Sequence, residues 1–185
     1  MITIRTIVRL ALACCGLITP LTAAAQNIPP DFTITYVWRS GSVPPPYHYQ
    51  YQILLSASHG SRLVMVMNYP SIFDDLTKWK EVLYPSPTQL SKLFASIQDN
   101  DLSSTPWGVR DERPVQIPSG GSACWITVVE NSHGYSVPCN TYEVNPKYAD
   151  KQAEFIRLIQ GFVPDDAWKK LNIEREDYIS RASSK

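Results

Sequence analysis

The chain is poor in the residues that usually carry chemistry. It has three histidines and four cysteines, and two of the cysteines, Cys14 and Cys15, fall in an apolar N-terminal run. No G-x-S-x-G, H-E-x-x-H, P-loop or dinucleotide fingerprint occurs. That removes the best-marked hydrolase, metalloprotease, phosphoryl-transfer and hydride-transfer readings. Cations and carboxylates balance at 17 each, and no basic run interleaves with aromatics. Affinity for nucleic acid comes mainly from clustered cations, so that class of partner is disfavoured. Past the N-terminus no stretch approaches the roughly 20 apolar residues a membrane-spanning helix needs. Nothing in this inventory calls for a cofactor or a metal.

What is present begins with residues 1–25, "MITIRTIVRLALACCGLITPLTAAA". Arg5 and Arg9 precede a short apolar run, and Ala23 and Ala25 place small residues at the −3 and −1 positions of a cleavage site. This is the pattern of a secretory signal, with the mature chain starting at Gln26. Lipidation at Cys14 is the weaker reading, because the apolar stretch continues past the cysteine. The remainder, about 160 residues, fits one domain, expected over 26–178 with a flexible tail at 179–185. Cys124 and Cys139 are then the two cysteines left in an oxidising compartment. With no N-x-Ser/Thr sequon in the mature part, a periplasmic or secreted bacterial protein is expected.

Period-two alternation predicts the strands. Phe32, Ile34, Tyr36 and Trp38 alternate with Thr33, Thr35, Val37 and Arg39. After "RSGSVPPP", whose prolines cannot donate into a ladder, Tyr47, Tyr49, Tyr51, Ile53 and Leu55 form a second stripe. Leu63, Met65 and Met67 form a third, and Trp79 to Leu83 can supply a fourth. Ser86, Pro87 and Gln89 make a reciprocal capping box with proline at the first helical position. Leu90, Leu93, Phe94 and Ile97 follow as one apolar face. A second hairpin spans "ACWITVV" and "YSVPC". Asn145-Pro146 opens another helix, ended by Gly161 in a left-handed conformation. Pro164, Asp165 and Asp166 open the last. The fold class is therefore α+β: an antiparallel sheet of about five to six strands with two to three helices on one face. The resemblance of "LSASHGSRLV" to "VVENSHGYSV" is compatible with an internal hairpin–helix repeat, and equally with two hairpins sharing turn chemistry.

Four groups of residues could carry function. His59 and His133 each sit in a Ser-His-Gly triplet, which reads as turn chemistry, since two imidazoles fall short of the four ligands of a structural metal site. Cys124 and Cys139 read as a staple across the second hairpin. With Asn131-Ser132 as the two central turn residues the register places them face to face, and with a four-residue turn, Asn131 to Gly134, it leaves them diagonal; either way they come within the roughly 7 Å a bridge requires. The rival reading, a Cys124 or Cys139 nucleophile with His133 as base, is weaker. The aromatic stripes read as core. His48 and the loop acids Asp74, Asp75, Asp111 and Glu112 are the remaining acid–base candidates, and nothing in the spacing of the acids requires such a role.

"PPPYHYQYQILL", "GGSACWITV" with its hairpin, and "VPDDAWKKLN" together resemble uncharacterised exported bacterial α+β proteins. The resemblance covers most of the mature chain and brings no activity with it. In outline the architecture is also similar to small periplasmic inhibitor and PepSY-like modules, a likeness of topology alone. The reading that follows is a non-enzymatic module of the cell envelope, inhibitor- or immunity-like, that binds a protein or peptide. Binding would use the free sheet edge or the loops at 39–46 and 107–119, with Arg39, Tyr47, Trp107 and Arg110 as contact residues. The alternatives are a small exported hydrolase built on His48 or the loop acids, and a structural accessory domain.

Overall fold

The strands that carry two aromatic residues each lie at the centre of the sheet. In the computed structural model, which describes residues 28–41, 43–44, 46–67, 78–104, 107–108 and 121–184, β1 (Thr33–Arg39) pairs on one side with β2 (Tyr49–Ser56) and on the other with β5 (Ala123–Glu130). β3 (Ser61–Met67), β4 (Lys78–Leu83) and β6 (His133–Val137) complete six antiparallel strands in the order β4-β3-β2-β1-β5-β6. The two edges are thus β4 and β6. Three helices follow the strands: α1 (Pro87–Asp99), α2 (Ala149–Gln160) and α3 (Asp165–Ser183). This is the α+β architecture expected.

The register sorts side chains into two faces, because successive residues of a strand point opposite ways. Ile34 lies between Leu55 and Val128, and Tyr36 between Ile53 and Ile126. These, with Phe32, Leu63, Met65 and Met67, are buried. All three helices cover this inner face. Phe94 of α1 meets Phe32 edge-on at 5.2 Å, and Trp168 of α3 meets Tyr51 edge-on at 5.2 Å. Gln160 at the end of α2 donates to the hydroxyl of Tyr51 at 3.2 Å. Burial pushes the Tyr36 and Tyr51 hydroxyls above the ordinary phenol range. The aromatic stripes are core, as their alternation implies.

Local sequence explains the helix starts. Ser86 Oγ accepts from Gln89 N–H at 3.2 Å, and Gln89 Oε1 accepts from Ser86 N–H at 2.8 Å, the reciprocal box that satisfies two orphan donors. Asn145 caps a 3-10 turn, Pro146–Tyr148, that leads into α2. Two expectations are corrected. Gly161 ends α2 with φ −66°, in the right-handed region; its small size matters instead, since a Cβ there would lie 3.2 Å from the Arg157 carbonyl oxygen. The tail expected at 179–185 is helical through Ser183, because α3 carries Ile179 against the core. The signal at 1–25 lies outside the described residues.

The two Ser-His-Gly triplets differ. Ser58-His59-Gly60 belongs to a four-residue connection between β2 and β3. In the second hairpin only Ser132 is in the turn, and His133 and Gly134 already pair in β6. Asn131 (φ 50°) and Ser132 (φ 63°) are both left-handed, the requirement of a type I′ turn. Asp31, just before β1, accepts from the N–H groups of Asn131 at 3.0 Å and Ser132 at 2.5 Å. Donation from Ser132, ahead of that from Asn131, holds the Asp31 carboxyl below its ordinary range. Ser132→Gly keeps that N–H and removes a Cβ from an unfavourable backbone region. A gain of roughly 0.5–1 kcal/mol is expected after the extra freedom of glycine in the unfolded chain is deducted. Urea titration of the two proteins checks it.

Candidate functional site

The two sheet edges are treated differently. β4 carries Lys78 and Lys80, and Lys170 of α3 reaches across to Glu81 at 2.7 Å. Lysines on an edge strand discourage another strand from pairing with it. β6 reads His-Gly-Tyr-Ser-Val and has no lysine, arginine or carboxylate. With a two-residue turn, the pairs Glu130–His133, Val128–Tyr135 and Ile126–Val137 are those that exchange both ladder bonds. The N–H and C=O groups of Gly134 and Ser136 therefore point away from β5, toward a side where no strand lies among the described residues. Tyr135 turns inward, where its hydroxyl donates to Glu130 Oε1 at 2.9 Å; Gln98 of α1 donates to the other oxygen at 2.9 Å. Burial, then the carboxylate beside it, raises the Tyr135 hydroxyl above its ordinary range.

β6 stops at Pro138, which cannot donate, but its partner strand continues. The ladder is finished by a side chain. Asn140 Oδ1 accepts from Cys124 N–H at 2.8 Å, and Asn140 Nδ2 donates to the Cys124 carbonyl at 3.0 Å. Asn140 is 6% exposed, so its amide replaces the missing backbone rung inside the protein. Beside it the disulfide joins Cys124 to Cys139 with a Cα–Cα distance of 5.6 Å, as the register arithmetic implies. Gln152 of α2 donates to the Cys139 carbonyl.

Where β6 departs, a cleft of about 390 Å³ opens between β5 and the returning chain, lined by Trp125, Thr127, Ser136, Val137, Pro138 and Glu143 among others. Trp125 is 45% exposed. Its parity on β5 aims it to the face opposite Cys124, away from the helices. The guanidinium of Arg39 sits 5.0 Å above its ring, a cation–π contact. The cleft thus combines an apolar floor, an indole wall and one carboxylate, directly beside the outward amides of β6.

The expected contact residues divide. Arg39 adjoins this cleft through Trp125. Tyr47 is 50% exposed but lies in the β1–β2 connection. Trp107 is corrected: at 1% exposure it is core, stacked on Tyr148 at 6.2 Å and edge-on to Phe155 at 6.4 Å. Arg110 lies outside the described residues, as do Asp74, Asp75, Asp111 and Glu112. His48 Nε2 is 3.1 Å from the Gly41 carbonyl oxygen, which ties the β1–β2 connection together. His59 and His133 are exposed, at two separate hairpins whose turns lie at the same end of the sheet. Among the described residues no group of three or more His, Cys, Asp or Glu could hold a metal ion, and no helix is long and apolar enough to cross a membrane. Sequence reading did not single out Trp125, Ser136, Asn140 or Glu143. Trp125 was findable: if Cys124 faces inward to form the staple, its neighbour must face out.

No protein-family model matches the chain, and no curated protein matches its sequence.

Proposed function

We propose that this is an exported, non-enzymatic module that binds a protein or peptide partner in the cell envelope, taking an extended segment as an added strand on β6. The leader at 1–25 would be removed near Ala25–Gln26 and the mature chain act in the periplasm or outside the cell. The observation that carries the reading is the contrast between edges: β4 bears lysines, whereas β6, which among the described residues has no strand on its outer side, turns amides outward beside an apolar cleft. Strand addition draws affinity from main-chain hydrogen bonds and selectivity from pockets for alternate side chains. Here the cleft at Trp125 would take one apolar side chain, and Glu143 would favour a cation next to it. The disulfide, which needs an oxidising compartment, supports export.

Ser136→Pro tests this cleanly. Its N–H points away from β5, so proline removes a donor to the partner and no bond of the sheet, a setting in which edge strands accept proline. The unfolding midpoint should stay close to that of the parent. A photo-crosslinking residue placed at Thr127 should capture an envelope partner in the parent and lose most of that capture in the Ser136→Pro background. Undiminished capture would overturn strand addition at β6.

A further inference from the structure

The face of the sheet opposite the helices carries a second message, written in charge. Its rows follow from the register. One runs Val82, Arg62, Leu54, Thr35, Thr127; the next runs Lys80, Val64, Gln52, Val37, Trp125. Arg39 lies one row further along β1. Among the described residues, the ionisable residues at strand positions on this face are all cations, Arg39, Arg62, Lys78 and Lys80, although the whole chain balances 17 cations against 17 acids; the carboxylate of Glu143 adjoins the face only at the cleft beside Trp125. Arg62 and Lys80 are exposed, as are Val82 at 47% and Trp125. No described helix lies over them.

We infer that this face docks an acidic protein surface. Six strands at ~4.8 Å spacing, with strands of up to ~25 Å, give about 600 Å², approaching the ~800 Å² that one partner contributes to a standard interface. The composition suits such an interface: Trp125 and Arg39 toward the β5 side, valines, threonines and glutamines across the middle, and further cations on β3 and β4. Exposed tryptophan and arginine are the residues that most often anchor protein interfaces. Four dispersed cations are too few to hold a nucleic acid by counterion release. A flat Val/Thr/Gln surface also lacks the protruding apolar side chains with which peripheral proteins enter a bilayer. Charge complementarity therefore selects a carboxylate-bearing protein surface.

The face and the β6 edge share only the neighbourhood of Trp125, so the two readings can fail separately. The probe is a labelled short peptide of alternating valine and glutamate, compared with its valine–glutamine counterpart by fluorescence anisotropy at low salt. The acidic probe should bind about tenfold more tightly, as expected if the charge pairs made by the exposed Arg62 and Lys80 each contribute modestly. Arg62→Glu combined with Lys80→Glu should abolish that preference, and added salt should weaken it. Ser136→Pro should lower affinity for both peptides and leave the preference intact. Equal binding of the two peptides overturns the inference. So does a preference that survives the double charge reversal, or tighter binding to phosphatidylglycerol–phosphatidylcholine vesicles or to duplex DNA than to the acidic probe.

Discussion

Trp107→Ala is expected to lose about 3–5 kcal/mol, the range for deleting a large buried aromatic. The residue is fully enclosed, flat against Tyr148 and edge-on to Phe155. Its carbonyl also accepts from Asn145 N–H at 2.7 Å, and the adjoining Gly108 bridges to Val144. Truncation therefore opens a cavity between a connecting segment and the start of α2, where the backbone ties resist collapse. Native domains carry about 5–15 kcal/mol in all, so the variant would keep only part of its stability, with a midpoint lower by on the order of 10 °C. Thermal and urea unfolding followed by far-UV circular dichroism check this. A loss under 1 kcal/mol would mean that Trp107 is solvated and that the contact role first expected of it should be restored. Trp107→Phe, which keeps an aromatic in the slot, should recover much of the loss.

Trp107 also shows where sequence reading stops. The stretch around it has no period of two or of 3.6, and its prolines and glycines read as loop. Nothing local says that the indole will be buried, because its partners Tyr148 and Phe155 lie far along the chain and are brought there by α2. By contrast, elements governed by short-range rules were legible. The capping box at Ser86 is a local hydrogen-bond exchange, and the alternation of β1 and β2 is a consequence of the pleat. The pairing of Cys124 with Cys139 follows once two residues are assigned to the turn. Where a local rule has two solutions, it misled: glycine after α2 was read for its left-handed freedom, while the structure uses its lack of a Cβ. The candidate site was half visible. The free edge and Arg39 were named, whereas Trp125, Ser136 and Glu143 depend on which strand forms the edge and where it peels away. Strand order is a non-local fact, and alternation within a strand carries no record of it.

The second large effect is expected at the end of that hairpin. Replacing Cys124 and Cys139 together by alanine should cost about 3 kcal/mol, the chain-entropy value for a loop closed over 15 residues. Asn140→Ala should cost about 2–4 kcal/mol, since it strips both partners from the buried N–H and C=O of Cys124 and leaves each to bear its own desolvation. The informative quantity is the combination. A bond that acts only by restricting the unfolded chain would add its loss in full to that of Asn140. Here, however, the disulfide and the amide fasten the same returning segment to the same residue of β5. Once the bond is gone, that segment can lift away and let water reach Cys124, which caps what Asn140→Ala can further remove. The triple variant is therefore expected to fall short of the sum by about 1 kcal/mol, within the range for groups that share a partner. Urea midpoints of the four proteins give the coupling directly. Strict additivity would show that the bond contributes nothing to holding the native edge. In that case the cleft beside Trp125 would keep its shape in reducing conditions, and partner capture through β6 would be insensitive to dithiothreitol instead of weakened by it.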